Sequence, residues 1–279
     1  MTDTTDGARD FEDELHVEYE LPAGRMTQGV VRRGGSVLRP VGPWTASVHE
    51  YLRHLEAAGF EGAPRVLGVH EGREELTYLD GEVSIDPQWE PGRGHRLPDF
   101  ARSDAALAEA ARLLRRLHEA SRGFVPRHVD YRFHPHPPRA DEIVCHGDLG
   151  PWNTVYRDGL PVAFIDWDSA GPRTALLDLA AAAWSFVPLE PERQLREAGF
   201  APSPDFLARR LRLFVDAYGL EDRAAILPAL TAAKLAATEY IRTWPLDAAG
   251  LAGALEFVAG ELRWLHSVLP ALERALQTP

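Results

Sequence analysis

The chain has 279 residues, 45% hydrophobic and 26% charged, with a formal net charge of −12. It is long enough for one large domain or two lobes around an ample core, and its ordinary apolar fraction excludes global disorder. No apolar run approaches the roughly 18 residues a membrane span needs, and the N-terminus is acidic instead of basic, so neither a span nor a secretory signal is expected.

Most of the negative charge sits at one end. The first 20 residues hold eight acids against Arg9, a balance of −7, and residues 1–13 are expected to form an acidic, disordered tail. From Phe186 to Pro279 twelve acids face ten bases, which argues against a nucleic-acid partner.

His16 to Glu20 alternates, and Val30-Val31 and Val37-Leu38 flank Gly34-Gly35, which predicts an antiparallel meander. Thr45 to Ala58 has helical spacing, with Val48, Leu52 and Leu55 on one stripe and Gly59 as the stop. Pro64 to Val69 and Glu74 to Leu79 read as strands around Glu71-Gly72, and Pro87 to Pro98 as a loop. Asp104 to Ser121 reads as a helix with Leu107, Ala111, Leu114 and Leu117 on one face, followed by His118. His128, His134 and His136 fall in a Pro- and Arg-rich loop without a further ligand at metal spacing, so they are expected to be exposed and not to bind zinc.

The densest chemistry follows. Two apolar runs, Ile143 to Cys145 and Thr154 to Tyr156, flank a loop carrying His146, Asp148 and Asn153. A third run, Val162 to Ile165, delivers Asp166, and Asp158-Gly159 between the last two is a strong hairpin signal. Folding that hairpin brings Asp166 beside Asn153, near Asp148. Both offer hard oxygen ligands of the kind Mg²⁺ takes together with phosphate and water. Cys145 is the single cysteine, which excludes an internal disulfide, fits a reducing cytoplasm and reads as an inert packed residue. Beyond it, helices are expected from an N-cap at Thr174 to Phe186, then over Phe206 to Tyr218, Ile226 to Thr243 and Leu251 to Leu276.

His-x-Asp-x₄-Asn, followed by an Asp after a hydrophobic strand, resembles the catalytic loop and metal-binding aspartate of the protein-kinase-like fold. The wording His146-Gly-Asp-Leu-Gly-Pro-Trp-Asn153 and Ile165-Asp-Trp-Asp168 is similar to the aminoglycoside phosphotransferase and choline kinase-like family. The resemblance implies an α+β, bilobal, protein-kinase-like fold. A small antiparallel β N-lobe with one helix would span residues 14–81 and cover the nucleotide, and a larger, mainly helical C-lobe would span 82–279. It implies Asp148 as catalytic base, Asn153 and Asp166 as Mg²⁺ ligands, and His146 and Asp178 as structural supports of the site.

On the same resemblance Gly24, Thr27 and Gln28 fall at the phosphate-covering loop, and Tyr78 and Leu79 at the hinge that meets the adenine. The family's N-lobe lysine has no counterpart, because Lys234 is the one lysine in the chain. Arg39, on the equivalent strand, either replaces it or is a surface arginine at a strand end. Glu50 is the candidate helix partner of Arg39, with His49 as the alternative. Asp168, Trp184, Glu239, Tyr240 and Trp244 form a possible acceptor site, with Asp247 and Trp264 nearby. The aromatics fit a helical core equally well, and Asp168 fits a simple cap.

The implied activity is cytoplasmic transfer of a γ-phosphoryl group from ATP (or GTP), with Mg²⁺, to a hydroxyl of a small-molecule alcohol acceptor. Two rivals differ in class or acceptor. One is a housekeeping choline or amino-alcohol kinase. The other is a catalytically weak nucleotide-binding regulator, motivated by the missing lysine and the thin glycine loop.

Overall fold

A computed structural model describes residues 17–21, 27–88, 93–242 and 246–277; the tail 1–13, Gly24 and Trp244 lie outside these residues. Short turns build the N-terminal sheet. Strands β1 (Glu18–Glu20), β2 (Val31–Arg33), β3 (Ser36–Pro40), β4 (Val66–His70) and β5 (Arg73–Thr77) pair antiparallel in the order β1-β2-β3-β5-β4. Glu71 and Gly72 both take positive φ, 52° and 76°, so β4 and β5 meet in a turn whose twist suits the paired strands. Helix α1 (Thr45–Ala57) lays Val48, Leu52 and Leu55 into the core, the stripe its spacing predicts.

The chain leaves this sheet through Gly81. Its φ is +147°, and a Cβ there would lie 2.5 Å from the carbonyl oxygen of Tyr156, so only glycine fits the approach. Strand β6 (Glu82–Val83) then pairs with β8 (Thr154–Arg157), which forms a hairpin with β9 (Leu160–Phe164). The turn is Asp158-Gly159, with φ of 50° and 75°, as the D-G signal requires. A separate two-stranded ribbon joins β7 (Ile143–Cys145) to β10 (Gly171–Arg173).

Helices make up most of the remainder: α2 (Asp99–Arg102), α3 (Asp104–Ser121), α4 (Ala175–Phe186), α5 (Glu192–Glu197), α6 (Pro204–Tyr218), α7 (Ile226–Arg242) and α8 (Ala248–Gln277). Leu107, Leu114 and Leu117 of α3 are 2% exposed or less. Each such leucine stabilises the fold by about 1.5–3 kcal/mol. Ser103 and Thr174 cap α3 and α4 through their side chains. The result is a bilobal kinase-like architecture, with an antiparallel sheet and one helix preceding a mainly helical part. Among the described residues no helix is long and apolar enough to cross a membrane.

Candidate active site

The loop between β7 and β8 is held from below before it does any chemistry. His146 is fully buried, donates from Nε2 to the carbonyl of Ile165 at 2.9 Å and accepts the Asp148 N–H on Nδ1 at 3.3 Å. Burial pushes its pKa down to about 4, so it is a neutral brace joining the loop to the residue before Asp166. Asp178, on α4, accepts the N–H of Gly147 at 3.2 Å and pairs with His118 at 3.1 Å. Burial alone would raise the Asp178 pKa, but the His118 hydrogen bond and the Arg173 charge hold it below the usual carboxylate range. His118 is thus a buried core partner, with its Nδ1 2.8 Å from the Tyr218 hydroxyl. Together with Cys145 the His118–Asp178 pair forms the one compact His/Cys/Asp cluster among the described residues. Burial holds the Cys145 thiol protonated and the other two are hydrogen-bonded, as in a packed network and not a metal centre.

Above this brace the three predicted oxygen-bearing side chains converge. Asn153 donates from Nδ2 to the backbone carbonyl of Asp148 at 2.8 Å and to its carboxylate at 3.0 Å. Both donor hydrogens are therefore spent, and Oδ1 has no hydrogen-bond partner among the described residues. The Ile165 N–H meets the Asn153 carbonyl at 3.0 Å, so the hairpin returns Asp166 to this loop. Asp166 itself has φ of 61° and ψ of 66°, a left-handed conformation that turns its side chain out of the β9 line.

Asp148 reaches the surface, yet the surrounding protein and then the Asp166 carboxylate push its pKa up to about 7. Asn153 and Arg173 act in the opposite direction. The donor set offered by Asn153 and Asp166 is hard and all-oxygen, which fits Mg²⁺ and excludes a soft-metal preference.

Arg39 closes the site from the N-terminal sheet. Its guanidinium pairs with Asp166 at 3.2 Å, with Asp168, and through Nε with Glu74 at 3.0 Å. It is buried, not a surface arginine at a strand end. The expected Glu50 partner is a correction. Glu50 instead takes the backbone N–H groups of Arg127 and His128 and the Arg127 side chain, at 2.9–3.1 Å. Adjacent helix positions diverge by about 100°, and α1 turns His49 inward and Glu50 outward. His49 contacts Glu74 at 2.5 Å, so the acid beside Arg39 comes from strand β5 and not from the helix.

The other expected residues scatter. Thr27 donates to Asp168 at 3.2 Å, while Gln28 is exposed. Asp168 also lies 3.8 Å from Arg132, whose guanidinium stacks 4.4 Å above Trp44; it ties the two halves together and is no simple cap. Tyr78 donates its N–H to the Gly35 carbonyl at 2.8 Å, with Arg32 over its ring, and Leu79 follows it half-buried. Trp184 is a second correction. It is 6% exposed, donates to the Leu230 carbonyl at 3.0 Å and lies under Lys234, so helical packing and not acceptor contact explains it. Glu239 is exposed beside Arg242.

Tyr240 reaches Arg173 on β10 and the loop before β7. Its hydroxyl meets Arg173 at 2.5 Å and His134 at 2.8 Å, and Phe133 sits edge-on 4.5 Å from its ring. His134 is therefore half-buried instead of in an exposed loop, with its pKa pushed down to about 4, chiefly by burial. Arg173, Arg132, Glu74 and His134 are site neighbours that no local motif marks. A surface hollow of ≈ 460 Å³ lined by Val41, His49, Arg53 and Val69 is not lined by Asp148, Asn153 or Asp166.

Comparison with known proteins gives this geometry a family. Residues 126–214 match the model of the "Phosphotransferase enzyme family". The chain is 38% identical over 203 residues to the trifolitoxin immunity protein of Rhizobium leguminosarum bv. trifolii, covering 71% of this chain and 72% of that one. A choline/ethanolamine kinase family protein from Mesorhizobium loti superposes with a TM-score of 0.51 at 18% identity, covering 98% and 97% of the two chains. A streptomycin–ATP–APH(2")-IIa ternary complex gives 0.53 at 13% identity, covering 94% and 97%. The chain belongs to the phosphotransferase enzyme family and is an O-phosphotransferase with the kinase-like fold.

Proposed function

We propose that this enzyme moves the γ-phosphoryl group of ATP, with GTP as a possible donor, to a hydroxyl of a small molecule in a Mg²⁺-dependent reaction. The observation that carries the reading is the Asn153–Asp148 hydrogen bond with Asp166 close enough to raise the Asp148 pKa. In this reading Asp148 accepts the acceptor hydroxyl proton as the new O–P bond forms and the bond to the leaving diphosphate breaks. Asn153, through Oδ1, and Asp166 would hold Mg²⁺, which when bound offsets negative charge on the phosphates. Arg39 takes the missing lysine's place as the N-lobe cation, its fork suited to phosphate oxygens. In this reading Thr27 and Gln28 would face the phosphates, Tyr78 and Leu79 the adenine, and Tyr240 the acceptor.

The test is nucleoside-diphosphate release across a panel containing aminoglycosides, a macrolide, choline and ethanolamine. Stimulation by one class identifies the acceptor. Nucleotide binding without any diphosphate release would instead favour the weak regulator. A second reading rests on the relative that is named for immunity to trifolitoxin. There the acceptor is a toxin hydroxyl and the modification protects the cell. Expression in a toxin-sensitive host, with an Asp148→Asn control, separates it from the housekeeping kinase: protection that requires Asp148 supports it.

A further inference from the structure

We infer that Arg173, together with Tyr240, is a positioning residue for the phosphoryl transfer, an inference that rests on the functional reading above. The two form the second jaw of a clamp on the peptide that precedes Asp148. One jaw is Asp178, which accepts the Gly147 N–H at 3.2 Å. Arg173 supplies the other, its Nη1 donating to the Gly147 carbonyl at 3.4 Å while lying 3.7 Å from Asp178.

Gly147 has no slack between them. Its φ is +87°, and a Cβ there would come within 2.2 Å of the Ser169 carbonyl oxygen and 2.9 Å of Arg173 Nη2. Arg173 is 5% exposed, and its Nε is buried without a hydrogen-bond partner among the described residues. The bare Nε costs stability, and the hydrogen bonds of Nη1 and Nη2 fix how the guanidinium lies. Nη2 donates to the Tyr240 hydroxyl at 2.5 Å, and that hydroxyl in turn lies 2.8 Å from His134 Nε2. With His134 neutral, the direction is Arg173 N–H to Tyr240 oxygen and Tyr240 O–H to His134. Helix α7 thereby sets the angle at which the Asp148 carboxylate is presented.

Three variants of the full chain test this: Tyr240→Phe, Arg173→Lys and Arg173→Ala, with Asp148→Asn as control. MgATP alone, with water as acceptor, is the activity probe. Amide hydrogen exchange at Gly147 and Asp148 reads the clamp without any turnover. Tyr240→Phe should lower kcat by about fivefold to tenfold with nucleotide affinity unchanged, since small misplacements reduce rate steeply. Arg173→Ala should lose about a hundredfold, with Arg173→Lys recovering part of it. Both milder variants should exchange the two amides faster than wild type. Wild-type exchange in both would overturn the clamp, whatever the turnover. Unchanged kcat in both beside an inactive Asp148→Asn would overturn it while sparing the functional reading. Wild-type turnover in Asp148→Asn removes both.

Discussion

Glu74 stands opposite Arg39 on the neighbouring strand, one carboxylate oxygen 3.0 Å from the arginine Nε and the other 2.5 Å from His49. The N-lobe cation is therefore fixed by a strand acid that is itself fixed by the helix. Arg39 is 8% exposed, so removing it leaves Glu74 and Asp168 as buried acids without their main partner. Arg39→Ala should cost about 3 kcal/mol of stability in denaturant titration and weaken nucleotide binding. Arg39→Lys should keep the charge but lose the forked contacts, and so fall between the two. A change below about 0.5 kcal/mol in Arg39→Ala, the range of an ordinary surface substitution, would remove the arginine from this role.

Asp148→Asn keeps the shape of the side chain and removes its proton affinity. Transfer should fall by about a hundredfold or more while nucleotide affinity stays near wild type. Steady-state kinetics beside calorimetric binding checks both halves, and an undiminished rate would exclude Asp148 as the base.

Asp166→Ala should abolish the Mg²⁺-dependent part of nucleotide binding. The measurement is nucleotide affinity with Mg²⁺ and with chelator, in wild type and variant. The same metal dependence in both proteins would disprove the ligand assignment. Asn153→Ala should act in the same direction and also free the Asp148 carboxylate that Asn153 holds.

A pH effect on stability should come from Glu190, just beyond helix α4. Burial, then Glu261, raises the Glu190 pKa from the usual 4.5 to about 7, and its Oε2 is buried with no hydrogen-bond partner among the described residues. The folded state thus keeps a proton that the unfolded chain releases. The stabilising difference is complete below about pH 4.5 and is lost as pH rises towards 7. Glu190→Gln, neutral at every pH, should melt a few degrees above wild type at pH 8 and match it near pH 4.5. A melting difference that is independent of pH would show that Glu190 does not titrate in this window.

The hairpin and its loop were legible because their signals are local. Asp158-Gly159 specifies a turn, the turn specifies the register, and the register returns Asp166 to Asn153. The helices over Asp104 to Ser121 and Thr174 to Phe186 were equally readable, from a stripe and a cap. The partner of Arg39 was not, because pairing β3 with β5 joins residues separated by a whole helix and a strand. Nor does composition decide the phase of α1 to within one residue, so Glu50 reads as the helix partner and His49 only as the alternative. Arg173 and Tyr240 are 67 positions apart, and each by itself reads as an ordinary strand or helix residue. Trp184 shows the converse, since an aromatic at helical spacing is apolar enough to serve either a core or a binding surface.

Asp168 gathers Thr27 and Arg39 from the N-terminal part and Arg132 from the loop before β7. The polar contacts of the seam thus meet on one carboxylate, beside an apolar core in which Tyr51 and Leu55 of α1 join Leu114 and Trp167. Because Arg39 and Asp168 are both buried, added salt should screen this junction little, whereas Asp168→Asn should loosen it and speed the escape of spent nucleotide.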